Sequence, residues 1–276
     1  MNEQLKPSVG QNPAINLSEC ELGIARWNAK IKEARVNDDY KGIYKLLKDA
    51  AFKIPVKSIP QNWKSKYELW LLSGKEPLDF LLHAYIAYSP NKNSKDDPSD
   101  LKLVVIDMLT DTKQLLYDNT NAILVSKPAQ SIPLQCSKAK QNVRDNDISL
   151  PEADERICDW QTNGKKWTKK TIEFEPLDLF FRGFSIPYAD FDDLSKEDTD
   201  HLHGFLGLRQ RNGEKPLNLK FVEIIFATLS VKKTADNNNE ISVSAENASL
   251  PIPPFKPGED FSLFETSGGY VAAPEL

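Results

Sequence analysis

The chain has 276 residues, of which 40% are hydrophobic, 27% charged and 9% aromatic, with 18 Pro, 3 Cys and 3 His. That apolar fraction fills a core, which excludes wholesale disorder and collagen-like or low-complexity classes, and no run approaches the ~18 apolar residues of a membrane span. A net charge of −5 opposes binding nucleic acid over the whole surface, because such binding rests on neutralising phosphates, so nucleic acid is not the expected partner.

Charge divides the two ends. Residues 1–90 hold 13 Lys and Arg against 10 Asp and Glu, a net of +3, and the remainder holds 22 against 30, a net of −8. Residues 1–16 carry Pro7, Gly10 and Pro13 and read as a flexible tail. They lack the basic-then-apolar order of a signal peptide, so a cytoplasmic location is the default expectation. Cys20, Cys136 and Cys158 are far apart and outside any C-x-x-C spacing, so they are expected as small buried hydrophobes rather than a disulfide framework or a zinc site.

Residues 17–90 predict a helical domain. Ser18 and Glu21 form a capping-box pattern that starts a helix running to about Ala34. Asp38 or Asp39 caps a second helix, with Ile43, Leu46, Leu47 and Ala50 at three- and four-residue spacing. Trp63, Tyr67, Trp70 and Leu71 make a third stripe ending before Gly74. Leu78 to Tyr88, entered through Pro77 and closed by Pro90, reads as a fourth helix. Residues 91–100 read as a linker.

From residue 101 to 250 the pattern changes to short β-branched and aromatic runs, at Leu101 to Leu109, Leu115 to Tyr117, Ala122 to Val125, Ile172 to Phe174, Leu177 to Phe184 and Leu219 to Val231, with Ile241 to Ala245 as a last strand. Asn163-Gly164 and Asn212-Gly213 suit type I′ hairpin turns. The first turn places Trp160 opposite Trp167. The second places Leu208 opposite Leu217 and Leu206 opposite Leu219, with Leu202, Leu206, Leu208, Leu217, Leu219 and Phe221 on the core face. Residues 251–276 form a Pro- and aromatic-bearing tail in which Phe255, Phe261, Phe264 and Tyr270 are candidate anchors on this chain or on a partner. The whole reads as an α+β protein: a small N-terminal helical bundle followed by a mainly antiparallel, sandwich- or barrel-like β-rich body.

Chemistry is sparse. The phosphate-loop, dinucleotide-fingerprint, nucleophile-elbow and zinc-protease motifs are absent from the sequence. His201 and His203 at i and i+2 on one strand could share a divalent metal, with Asp198 and Asp200 as oxygen ligands, although the EF-hand pattern fails. Lys41, Lys45 and Lys48 share a helical face that suits an acidic ligand. Trp160 and Trp167 would form a sugar-stacking platform if their common face were exposed. The expected function is non-enzymatic: protein–protein interaction, or a structural or accessory subunit of a multiprotein assembly, with a protein partner or a second copy. The alternatives are a metal-dependent hydrolase centred on His201 and His203, and a carbohydrate- or nucleic-acid-binding module. No cofactor is expected beyond that divalent metal.

Overall fold

Three- and four-residue apolar spacing builds the first helices. The computed structural model describes residues 16–90, 100–112, 115, 123–128, 150–174, 180–196, 199–210, 220–233, 239–246, 250–252 and 261–266. Helix α1 spans Leu17–Val36 and starts one residue before Ser18, with Asn16 at the N-cap and no side-chain cap bond. The Asn16 carbonyl accepts from the amides of Glu19 and Cys20 at 3.0 and 3.2 Å, which leaves Ser18 inside the first turn. Helix α2 spans Tyr40–Lys48, and the Asp39 carboxylate accepts from the Gly42 amide at 2.9 Å. Helix α3 spans Gln61–Leu72 and stops where Gly74 takes a φ of 77°.

Two strands interrupt these helices, so residues 17–90 are not a helical bundle. Strand β1 spans Ala51–Pro55, and the expected fourth helix is strand β2, Leu81–Tyr88. The reason is that β2 is buried on both faces; its apolar residues then form a continuous run, which periodicity alone does not distinguish from a buried helix.

The remaining strands are β3 (Leu101–Asp107), β4 (Ile123–Val125), β5 (Lys127–Pro128), β6 (Gly183–Pro187), β7 (His201–Gln210), β8 (Lys220–Lys233), β9 (Asn239–Glu246) and β10 (Leu250–Ile252). They form two five-stranded sheets, ordered β5-β1-β7-β8-β9 and β10-β6-β2-β3-β4. The described pairings are all antiparallel, and neither sheet closes into a barrel. The protein is α+β. Strand β10, which contains Pro251, lies at a sheet edge, where proline is tolerated.

Residues Leu150–Glu173 form helix α4 and Tyr188–Ser195 form helix α5; α4 overturns both the hairpin at Asn163-Gly164 and the strand at Ile172 to Phe174. A Cβ on Gly164 would sit 3.0 Å from the Trp160 ring, so this glycine makes room for a side chain one helical turn earlier. Asn163 donates to Asp159, also one turn back, at 2.6 Å. The second hairpin does bring β7 and β8 together, but Leu208 pairs with Val222 and Leu206 with Ile224, five positions beyond the expected partners. An odd shift exchanges the faces of the second strand. Val222, Ile224 and Phe226 therefore join Leu202, Leu206 and Leu208 in the core, and Phe221 is only half-buried. Asn212-Gly213, Leu217, Leu219, Cys136 and most of the expected 1–16 tail and 91–100 linker lie outside the described residues.

The largest buried cluster takes in one face of each sheet: Phe52, Leu206, Ile224 and Phe226 from the first, Leu82, Ala84, Ile86 and Val105 from the second, joined by Trp27, Trp63 and Trp160. The other face of the second sheet packs Tyr85, Val104 and Ile106 against Leu17, Cys20 and Ile24 of α1 and against Phe261, Leu263 and Phe264. Gly23 permits this approach, since a Cβ there would lie 3.0 Å from the Ala87 Cβ. The other face of the first sheet packs Ala51, Phe205, Ile225 and Ala227 against Ala153 and Ile157 of α4. Cys20 is buried and free, and burial pushes its thiol pKa up to about 11. Cys158 on α4 is disulfide-bonded, contrary to the expectation of three unlinked thiols. Among the described residues no helix is long and apolar enough to cross a membrane.

Candidate functional site

The densest polar chemistry lies under the short helix α6 (Ser262–Thr266), on the second sheet. Alternation along β2 points His83 and Tyr85 to the same face, where Phe261 stacks on the His83 ring at 4.0 Å and 18°. Tyr85 meets the edges of Phe261 and Phe264 at 5.1 and 4.9 Å. Asp111 lies at the centre. Its Oδ2 accepts from the Tyr85 hydroxyl at 2.5 Å and lies 2.6 Å from His83 Nδ1, and its Oδ1 accepts from the Ser262 hydroxyl at 2.5 Å. The Leu263 amide donates to the Tyr85 oxygen at 3.3 Å. Burial foremost, then the Asp111 charge, holds the Tyr85 pKa well above its ordinary value, so the phenol remains a donor. These groups satisfy one another. Ser262 bonds the carboxylate rather than the imidazole, so His83 is not placed to activate its hydroxyl as a nucleophile. The cluster is a polar tie between α6, β2 and the turn after β3. Of the aromatic tail anchors, Phe261 and Phe264 are buried here, and Phe255 and Tyr270 lie outside the described residues.

His201 and His203 share one face of β7 with ring centroids 6.4 Å apart. His203 is buried near Phe205, and its Nδ1 has no hydrogen-bond partner. Burial, then the charge of Lys53 directly across on β1, then His201, lower its pKa to about 4. A metal there would face that ammonium. Asp200 is exposed, Asp198 lies outside the described residues, and among the described residues no three His, Cys, Asp or Glu converge to hold a metal.

Trp160 and Trp167 do meet, at 6.0 Å and 62°, across two turns of α4 rather than across strands. Trp160 is 2% exposed and packs on Tyr44 at 6.4 Å, and Trp167 donates from Nε1 to the Lys220 carbonyl at 2.8 Å. Trp160 is thus buried, and Trp167 is half-buried with its ring 5.5 and 5.9 Å from Phe180 and Phe181. Lys41, Lys45 and Lys48 are exposed on α2. Lys41 and, from α4, Lys169 lie 6.0 and 5.5 Å from the Tyr40 ring.

One surface escaped the sequence reading. At the end of α3, Leu69 is 66% exposed and Leu72 83%, and Leu78 beyond the turn is 59% exposed. This corner is rigidly built: Trp70 Nε1 donates to the Glu76 carbonyl at 2.9 Å, and the Lys75 ammonium lies 3.9 Å above the Trp70 ring. The buried Asp107 carboxylate accepts from Lys66 at 2.8 Å, and the same ammonium reaches Thr110, which ties α3 to the turn carrying exposed Leu109. The signal was present. Trp63, Tyr67 and Trp70 already supply one apolar stripe, so Leu69 and Leu72 are surplus to it.

No protein family, curated protein or solved structure matches this chain.

Proposed function

We propose that the protein is a non-enzymatic binding subunit that docks another protein through the leucine corner of α3. The observation that carries this is the solvent exposure of Leu69, Leu72 and Leu78 on a corner pinned by hydrogen bonds. Single exposed leucines are ordinary, but several along one short segment mark an interaction surface. The tail rings Phe261 and Phe264 are spent on the protein's own β2, which moves the weight of an interaction reading to α3. The test is the double variant Leu69→Glu/Leu72→Glu. It is expected to abolish complex or oligomer formation, measured by light scattering and by affinity capture, while the melting temperature stays put because neither side chain is buried. Unchanged association would end this proposal.

A further inference from the structure

A concavity of about 320 Å³ opens between α4 and the β7–β8 end of the first sheet, at the small end of ligand-pocket volumes. Its wall is charged. Glu223, fully buried on β8, receives Arg156 Nη1 at 3.1 and 3.2 Å, and Arg156 also reaches Glu152. Lys220 pairs with Asp159. Two lining groups are left over: among the described residues no carboxylate pairs with Arg209 and no cation pairs with Glu155. Arg209 lies with its guanidinium carbon 5.7 Å from the Phe221 ring centroid, a contact that leaves the N–H fork open to a carboxylate.

We propose that this concavity binds a small zwitterion of the α-amino-acid class, with its carboxylate on Arg209 and its ammonium toward Glu155. The pairing pattern argues for a zwitterion over a simple anion. Arg156 serves both Glu223 and Glu152 and Lys220 serves Asp159, so one lining group of each sign, Arg209 and Glu155, has no ion-pair partner among the described residues, and a lone anion would leave Glu155 facing it.

The full chain is titrated with each of the twenty common amino acids, read by melting temperature and confirmed by calorimetry. At least one is expected to give a saturable rise. Its N-acetyl and C-amide derivatives, each lacking one charge, are expected to bind about tenfold more weakly or worse, and Arg209→Gln and Glu155→Gln to weaken the free amino acid similarly. If Arg209→Gln impairs folding, Arg209→Lys, which keeps charge and stem but loses the fork, takes its place in the comparison. The proposal is overturned if no amino acid binds, if acetate or succinate binds as tightly, or if the folded Arg209 variant binds like the native chain.

Discussion

Both sheets cover a second face, and they do so by opposite means. On the first sheet one long helix, α4, lays Ala153 and Ile157 on Phe205 and Ile225 and fringes them with the Arg156–Glu223 and Lys220–Asp159 pairs. On the second sheet the cover is assembled from the 20-residue α1 and the five-residue α6, and α6 is tied to the sheet through buried Asp111. A helix of 24 residues has several turns to share its nucleation cost, whereas one of five residues has no stability of its own. The second cover therefore includes a part, α6, that exists only while it is docked. Its parts should fail together, and those of the first separately.

The largest effect is expected from removing the chain after Ala248, which deletes β10 and α6. Losing the burial of Phe261, Leu263 and Phe264 should cost about 5 kcal/mol or more in urea unfolding. An unchanged unfolding midpoint would show that the second cover contributes nothing. Next, Asp111→Ala strands His83, Tyr85 and Ser262 inside the protein, for about 3–5 kcal/mol. Hydrogen exchange should then show α6 released. Arg156→Met, which removes the guanidinium from buried Glu223, should cost about 2–4 kcal/mol and leave α6 protected. Equal loss of α6 protection in both variants would erase the contrast between the covers.

Reduction sharpens it further. Cys158 anchors α4 covalently, and no such link touches the described second cover, so a reductant should lower stability by about 2–4 kcal/mol and raise exchange in α4 rather than α6. The smallest effect is protonic. His203 has a folded pKa near 4 and an unfolded value near 6.5, so the unfolded chain binds the extra proton first as pH falls. Stability should drop as pH falls from 6.5 to 4, by about 1–2 kcal/mol after allowance for solvent screening. A His203→Gln chain should lack that part of the slope, and identical slopes would refute the assignment.

Alternation and caps were legible where the contacts are local. Leu202, Leu206 and Leu208 pointed inward as their two-residue spacing implies, and Asp39 and Gly74 mark helix ends. The turn preference of Asn163-Gly164 is overridden by the helical spacing of Ala153, Ile157 and Trp160, which are buried together, while Gly164 leaves room for the Trp160 ring one turn earlier. The β7–β8 register depended on long-range packing rather than on the turn dipeptide alone. Of the polar tie, His83 was noticed but its partners were not. Asp111 and Ser262 are 151 positions apart, and no local pattern joins residues at that distance.

Strand β1 has a further consequence for how the chain is made. Phe52 finds its ladder partner at Gly204, so β1 leaves the ribosome long before β7 exists. At about 5–20 residues per second, the wait for β7 lasts roughly 8–30 s, during which β1 lacks its neighbour toward the centre of the first sheet. The first sheet is therefore expected to complete late in synthesis, as pairings between distant segments do. Nascent chains halted before residue 201 should bind trigger-type chaperones and be cut readily by protease, while chains carried past β8 should resist.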